Sequence, residues 1–286
     1  MAAAMTQPDK RLHAYRDDLA DAALAGRVEA RRFVAPRLMR AIDPVVPVYR
    51  EPRFDSMQLT QALLGEAVKL FDEREGWAWV QLARDGYVGY VKCNALAAPG
   101  LAPSHRVAVP STFVYPAANL KSQPAQAVPL NAEVTVLDEV GAFSRLSDGR
   151  FVFSRHLKPA GVFEPDFVAV AEQFRHVPYL WGGKSVQGLD CSGLVQLSLE
   201  AAGAAAPRDS DMQEAALGTP IPRDDFETLR RGDLIFWDGH VGIMTDAKTL
   251  LHANGHHMMA VAEPLAEAAD RIARRYGPVS GVRRLP

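Results

Sequence analysis

Gly188-Leu189-Asp190-Cys191-Ser192-Gly193-Leu194-Val195 leads from a glycine-rich turn into an apolar run that reads as a helix ending at Gly203, with Cys191 in its first turn. Unpaired backbone N–H groups and the helix dipole favour an anion there. The Cys191 thiol is therefore expected to fall towards a thiolate, the nucleophilic form. Most free cysteines are ordinary buried residues. The downstream runs Gly239-His240-Val241-Gly242-Ile243 and Leu250-Leu251-His252-Ala253 tip the reading towards chemistry, because they add a base and a group to orient it.

The two histidine runs are joined by Thr245-Asp246-Ala247, read as a three-residue hairpin loop. A hairpin symmetric about Asp246 sets His240 directly opposite His252, with Cβ atoms roughly 4.5–5.5 Å apart. By strand alternation His240, Gly242, Met244, Leu250 and His252 share one face, and Val241, Ile243, Leu251 and Ala253 face a core. Cys191 then attacks a carbonyl carbon, His240 takes its proton and later protonates a leaving amine, and His252 orients His240. Oxyanion donors are the backbone N–H of Cys191 and the hydroxyl of Tyr179. His240, His252, His256 and His257 could be read as a metal cluster, but no nearby cysteine or paired carboxylate completes a ligand spacing. Neither metal nor cofactor is expected. Trp181, beside Gly182-Gly183, is placed along the cleft.

The 286 residues carry a net charge of −2 and no long basic run, which argues against a nucleic-acid partner. No apolar stretch is long enough for a membrane span. No secretory segment is seen, and the two cysteines, Cys93 and Cys191, suit a reduced cytoplasmic protein. Oligomeric state is not legible. Asp9 to Arg32, with Leu12, Tyr15, Leu19, Leu24 and Val28, reads as an N-terminal helix. Two strand-turn-strand units follow at an offset of 61–66 residues, one with Asp85-Gly86-Tyr87-Val88-Gly89-Tyr90, the other with Asp148-Gly149-Arg150-Phe151-Val152-Phe153. They argue for tandem small β-barrels. After Pro165, an amphipathic helix through Phe167, Val170, Ala171 and Phe174 precedes the Cys191 helix. The runs Leu234–Trp237, His240–Met244 and Thr249–Ala253 then make an antiparallel sheet, an α+β arrangement.

Tyr179-x-Trp181-Gly182-Gly183, Asp190-Cys191-Ser192-Gly193, Arg231-Gly232-Asp233-Leu234, His240-Val241-Gly242-Ile243 and His252-Ala253 resemble the successive motifs of the NlpC/P60 cysteine peptidases. The resemblance implies a papain-like catalytic domain over 161–286, and the barrel units resemble bacterial SH3-type domains over 40–99 and 100–160, behind a helical segment 1–39. It implies Cys191, His240 and His252 as a catalytic triad, and Tyr179 as an oxyanion or substrate contact. Arg208-Asp209-Ser210-Asp211-Met212-Gln213 is similar to a stretch of the SH3-bearing γ-D-glutamyl-L-diamino acid endopeptidases (dipeptidyl-peptidase VI). That likeness implies cleavage of murein-derived peptides after L-Ala-γ-D-Glu, with a free N-terminal amine, in wall-peptide recycling. Asp209 would hold the ammonium, Ser192 and Ser210 the D-Glu carboxylate, and Tyr87 the far end of the pocket. Leu59 stands where some members carry an acid, which throws amine recognition onto Asp209. Competing readings are a papain-like amidase or acyltransferase, and a wall-binding adaptor with vestigial catalysis.

Overall fold

The computed structural model describes residues 7–222 and 226–286. Its first strand-turn-strand unit is a seven-stranded antiparallel sheet, with Gln58–Leu63, Val45–Tyr49, Val88–Lys92, Trp77–Leu82, Ala67–Arg74, Arg37–Ala41 and Leu96–Ala97 as successive neighbours. Alternate residues, among them Val46, Val48, Val68, Leu70 and Val80, fill its interior. Gly89 has a steric cause: a Cβ there would lie 2.5 Å from Val48 Cγ1 and 2.9 Å from the Tyr49 carbonyl oxygen. The second copy has Val152 at the matching place, and its side chain is fully buried in that unit's own core with Val114 and Val128. This copy forms a five-stranded and a three-stranded sheet between His105 and Pro159.

The expected N-terminal helix is absent. Between Pro8 and Val34 the described chain makes turns, a single 3₁₀ turn Ala22–Leu24 capped by Asp21, and a short parallel pairing of Ala20–Asp21 with Phe33–Val34. The apolar residues serve two separate clusters, which a single helical stripe would not do. Ala14 and Leu19 pack on Phe71, Trp79 and Val88 of the first sheet, while Tyr15, Ala20 and Leu24 form their own cluster. Backbone bonds fasten the segment as an extended clip: the Val88 N–H donates to the Arg11 carbonyl at 2.8 Å, and the Gln81 side chain to that of Leu12 at 2.8 Å.

The C-terminal half is α+β. Helices Phe167–Glu172, Cys191–Ala201 and Ser210–Ala216 precede a six-stranded antiparallel sheet that includes Leu234–Trp237, His240–Met244 and Thr249–Asn254 as successive neighbours. Val241, Ile243, Leu251 and Ala253 pack towards the Cys191 helix, as strand alternation required. Met244 and Leu250 are buried on the other face, under Leu265 and Ala268 of helix Leu265–Tyr276.

The second unit grips the far end of the Cys191 helix, where unpaired carbonyls need donors. Arg106 donates to the Ala201 carbonyl at 3.0 Å, and Asn131 donates to that of Leu197 at 2.9 Å. Asn131 is buried and sits at φ 64°, in the left-handed region that glycine adopts freely, asparagine tolerates and alanine does not. Asn131→Ala should cost about 1–3 kcal/mol through the lost buried hydrogen bonds. Asn131→Gly, which loses the same bonds but relieves the backbone, should cost less. Urea denaturation of both variants checks the order.

Candidate active site

Cys191 opens its helix and is 7% exposed. Its seat is built by Asp190. One carboxylate oxygen caps the helix by accepting the Gly193 N–H at 2.7 Å, and the other accepts the Gly182 N–H at 2.8 Å. Arg208, 1% exposed, grips the same carboxylate with two bonds of 3.0 and 2.7 Å. Its Nε donates to Thr60 Oγ1 of the first sheet at 2.9 Å, and the neighbouring Gln61 accepts the Lys184 N–H at 2.9 Å. Thr60-Gln61 is thus the dock between the first barrel unit and the cysteine loop. Gly193 lets that loop lie close: a Cβ there would meet the Gly183 carbonyl oxygen at 2.2 Å.

The expected low thiol pKa is overturned. Burial pushes the Cys191 thiol up to about 12, and the Asp190 charge adds to the rise. Hydrogen bonds from the backbone N–H groups of Val241 and Ser192 and the Arg208 charge oppose the shift without reversing it. The helix end does favour an anion, but desolvation in this pocket is the larger effect. His240 moves the other way, to about 3, chiefly through burial and then through His252. Both shifts favour the uncharged forms, a thiol beside a neutral imidazole. Among the described residues, no hydrogen bond joins the sulfur to the His240 ring.

The histidine register also differs from expectation. Met244 faces Leu250 and Ile243 faces Leu251, so His252 stands opposite Gly242 rather than His240. The loop is Asp246-Ala247-Lys248, because the Asp246 carboxylate accepts the N–H groups of Lys248 and Thr249 at 2.8 and 2.9 Å. That side-chain turn starts the reversal one residue later than a loop centred on Asp246 would. The resulting slip is two residues, which preserves the face. The two rings still meet diagonally, with His240 Nε2 2.8 Å from His252 Nδ1. Gly242 leaves the room: a Cβ there would lie 3.2 Å from that of His252.

A cavity of about 290 Å³ brings Cys191, Tyr179, Trp181, Ser192, Tyr87, Asp209 and Ser210 to one lining. Burial raises the Tyr179 hydroxyl pKa well above its ordinary value, so it remains a proton donor. Trp181 is 58% exposed at the mouth, a cleft residue rather than core. At the far end Tyr87 donates to Asp209 Oδ2 at 2.9 Å. Arg11 of the N-terminal clip donates to that same oxygen at 2.9 Å and to Asp211 at 3.0 and 2.9 Å. A second cavity of about 370 Å³, sharing Tyr179, Trp181 and Gly239 with the first, continues past His240 and His252.

Comparison with known proteins meets this geometry at both ends. A profile described as NlpC/P60 family matches residues 176–271, and one described as bacterial dipeptidyl-peptidase Sh3 domain matches residues 48–96. A γ-D-glutamyl-L-lysine dipeptidyl-peptidase of Bacillus subtilis is 32% identical over 70% of this chain and 73% of its own length. The chain belongs to the NlpC/P60 family. Dipeptidyl-peptidase 6 of Lysinibacillus sphaericus is 27% identical over 65% of this chain, and 66% of its own length is matched. For a γ-D-glutamyl-L-lysine dipeptidyl-peptidase of Bacillus cereus, 30% identical, the matched share of its length is 59%. An NlpC/P60 family protein of Bacillus cereus shares the fold, with a TM-score of 0.72 and 21% identity over 87% of this chain and all of that one. The class carried by the relatives' names is a hydrolase acting on peptides, as the motifs implied.

Within this NlpC/P60 site, several groups escaped sequence reading. Asp190 and Arg208 were quoted only as parts of motifs; the pairing that gives them their role spans eighteen positions and a barrel contact. Arg11 was assigned to a helix and instead reaches the pocket. Ser192, read as a substrate contact, lines the cavity and also accepts a bond from Arg208 Nη1 at 2.8 Å through its hydroxyl oxygen. Arg208→Met strands a buried carboxylate and should cost about 3–5 kcal/mol, read by chemical denaturation. The neutral thiol predicts that alkylation of Cys191 by iodoacetamide is still accelerating above about pH 9, past the ordinary thiol pKa. A plateau near neutral pH would contradict it.

Proposed function

We propose that this NlpC/P60 protein hydrolyses the γ-D-glutamyl–diamino acid bond of peptidoglycan stem peptides, with Cys191 as nucleophile, His240 as base and then acid, and His252 as the orienting residue. The observation that carries the reading is the single cavity where Cys191 and Tyr179 share walls with Asp209 and Tyr87. The Cys191 sulfur bonds to the carbonyl carbon as its proton passes to His240. The oxyanion is met by the Cys191 N–H and the Tyr179 hydroxyl. Collapse breaks the C–N bond, and the amine leaves with the proton from His240. Water, deprotonated by the same ring, then cleaves the thioester and restores the thiol.

The substrate assignment is L-Ala-γ-D-Glu-diaminopimelate, with the Ala ammonium on Asp209. Ser192 and Ser210, both on the cavity lining, are the hydroxyls for the D-Glu carboxylate; the Ser192 oxygen accepts from Arg208, which leaves its own proton to donate. A role in wall-peptide recycling inside the cell is part of the same proposal, and both cysteines being free thiols supports it. Arg11 bears directly on the amine: an ammonium must enter beside a guanidinium that already shares the Asp209 carboxylate.

Turnover of synthetic L-Ala-γ-D-Glu-diaminopimelate should release L-Ala-D-Glu, and Cys191→Ala should abolish it while far-UV dichroism stays unchanged. Release by the alanine variant near the wild-type rate removes Cys191 from the mechanism. Arg11→Met should lower KM for this free-amine peptide by relieving like-charge repulsion, with little change in kcat. An unchanged KM would take the ammonium off Asp209.

A further inference from the structure

His252 presents its other ring nitrogen to a carboxylate. Its Nε2 lies 2.6 Å from Glu263 Oε1, on the adjoining strand Met259–Pro264. Glu263 is held in turn by Arg271 of helix Leu265–Tyr276, at 2.7 Å to one oxygen and 2.5 Å to the other. We infer that Glu263 is a positioning residue of the site, which sets the tautomers of both histidines so that His240 presents an unprotonated Nδ1 as the base. The inference rests on the proposed roles of Cys191, His240 and His252.

The proton positions follow one from another. A carboxylate clamped by a guanidinium accepts only, and these partners bring Glu263 down to about 2. His252 must therefore carry its proton on Nε2. Asn254 Nδ2 also lies 3.0 Å from that nitrogen, but a neutral amide does not compete with the shorter bond to an ionised carboxylate. His252 is kept neutral by burial, so its Nδ1 holds a lone pair. That lone pair can only accept, which puts the proton of His240 on Nε2. One tautomer is left for His240, and its basic atom is Nδ1.

Among the described residues, the groups on the Glu263 side of this chain are Arg271, Glu263 and His257, whose Nδ1 is 3.9 Å from Glu263 Oε1, while Asp238, His256, Arg275, Tyr179 and Tyr276 line the cavity that His240 and His252 share. Glu263 raises the pKa of both catalytic rings, and Arg271 lowers it. Replacing either residue should move the acid limb of kcat/KM in opposite directions, which a merely structural role would not do.

The test is the pH profile of kcat/KM on the stem tripeptide for Glu263→Gln, Glu263→Leu and Arg271→Met. Glu263→Gln keeps an acceptor for the Nε2 proton but loses the charge. It should retain more activity than Glu263→Leu, which should fall about 10–100-fold. The acid limb should shift to lower pH in Glu263→Gln and to higher pH in Arg271→Met. If Glu263→Leu does not fold, the direction of the Glu263→Gln shift decides alone. An unshifted limb in Glu263→Gln, or Glu263→Leu within twofold of wild type, overturns the inference. Wild-type protein that cleaves no stem peptide would instead bring down the functional proposal on which it rests.

Discussion

The site depends on one buried ion pair. Asp190 caps the nucleophile helix, ties down the Gly182 loop, and is neutralised by Arg208, which also reaches into the first barrel unit. A buried carboxylate without a partner would be costly, so the barrel, the loop and the helix must come together for any of them to be satisfied. The second unit and the N-terminal clip then act on the same frame from other sides. One holds the carbonyl end of the helix through Asn131 and Arg106. The other delivers Arg11 to the far wall of the pocket.

The electrostatics of the pocket follow from how dry this frame is. Desolvation favours the uncharged forms of both Cys191 and His240, so little charge is separated before substrate arrives. In the proposed reaction charge develops only during attack, beside the Tyr179 hydroxyl and the first N–H groups of the Cys191 helix. Charge beside the reacting groups is held in compensated pairs, Asp190 with Arg208 and Glu263 with Arg271.

Much of this was legible in the chain because local periodicity carried it. Strand alternation assigned Val241, Ile243, Leu251 and Ala253 to the core and the two histidines to the opposite face. It did so although the register was wrong, since a slip of two residues leaves every side chain on its own face. The clip was not legible: helical spacing of Leu12, Tyr15, Leu19 and Leu24 is met equally by a segment that feeds two clusters. The thiol shift was misread because a helix terminus is visible in sequence and burial is not. Pairings such as Arg208 with Asp190, or Arg271 with Glu263, are set by tertiary contact and leave no spacing of their own.

The central claim is that a thiol in this seat forms a covalent bond to the γ-glutamyl carbonyl. Rapid-quench intact-mass spectrometry during turnover of the stem tripeptide tests it most directly. The account predicts a transient adduct with the mass of an L-Ala-γ-D-Glu acyl group, mapped to the peptide containing Cys191 and lost on exposure to hydroxylamine. Product accumulating with no adduct at any quench time, or an adduct mapping to Cys93, would contradict it.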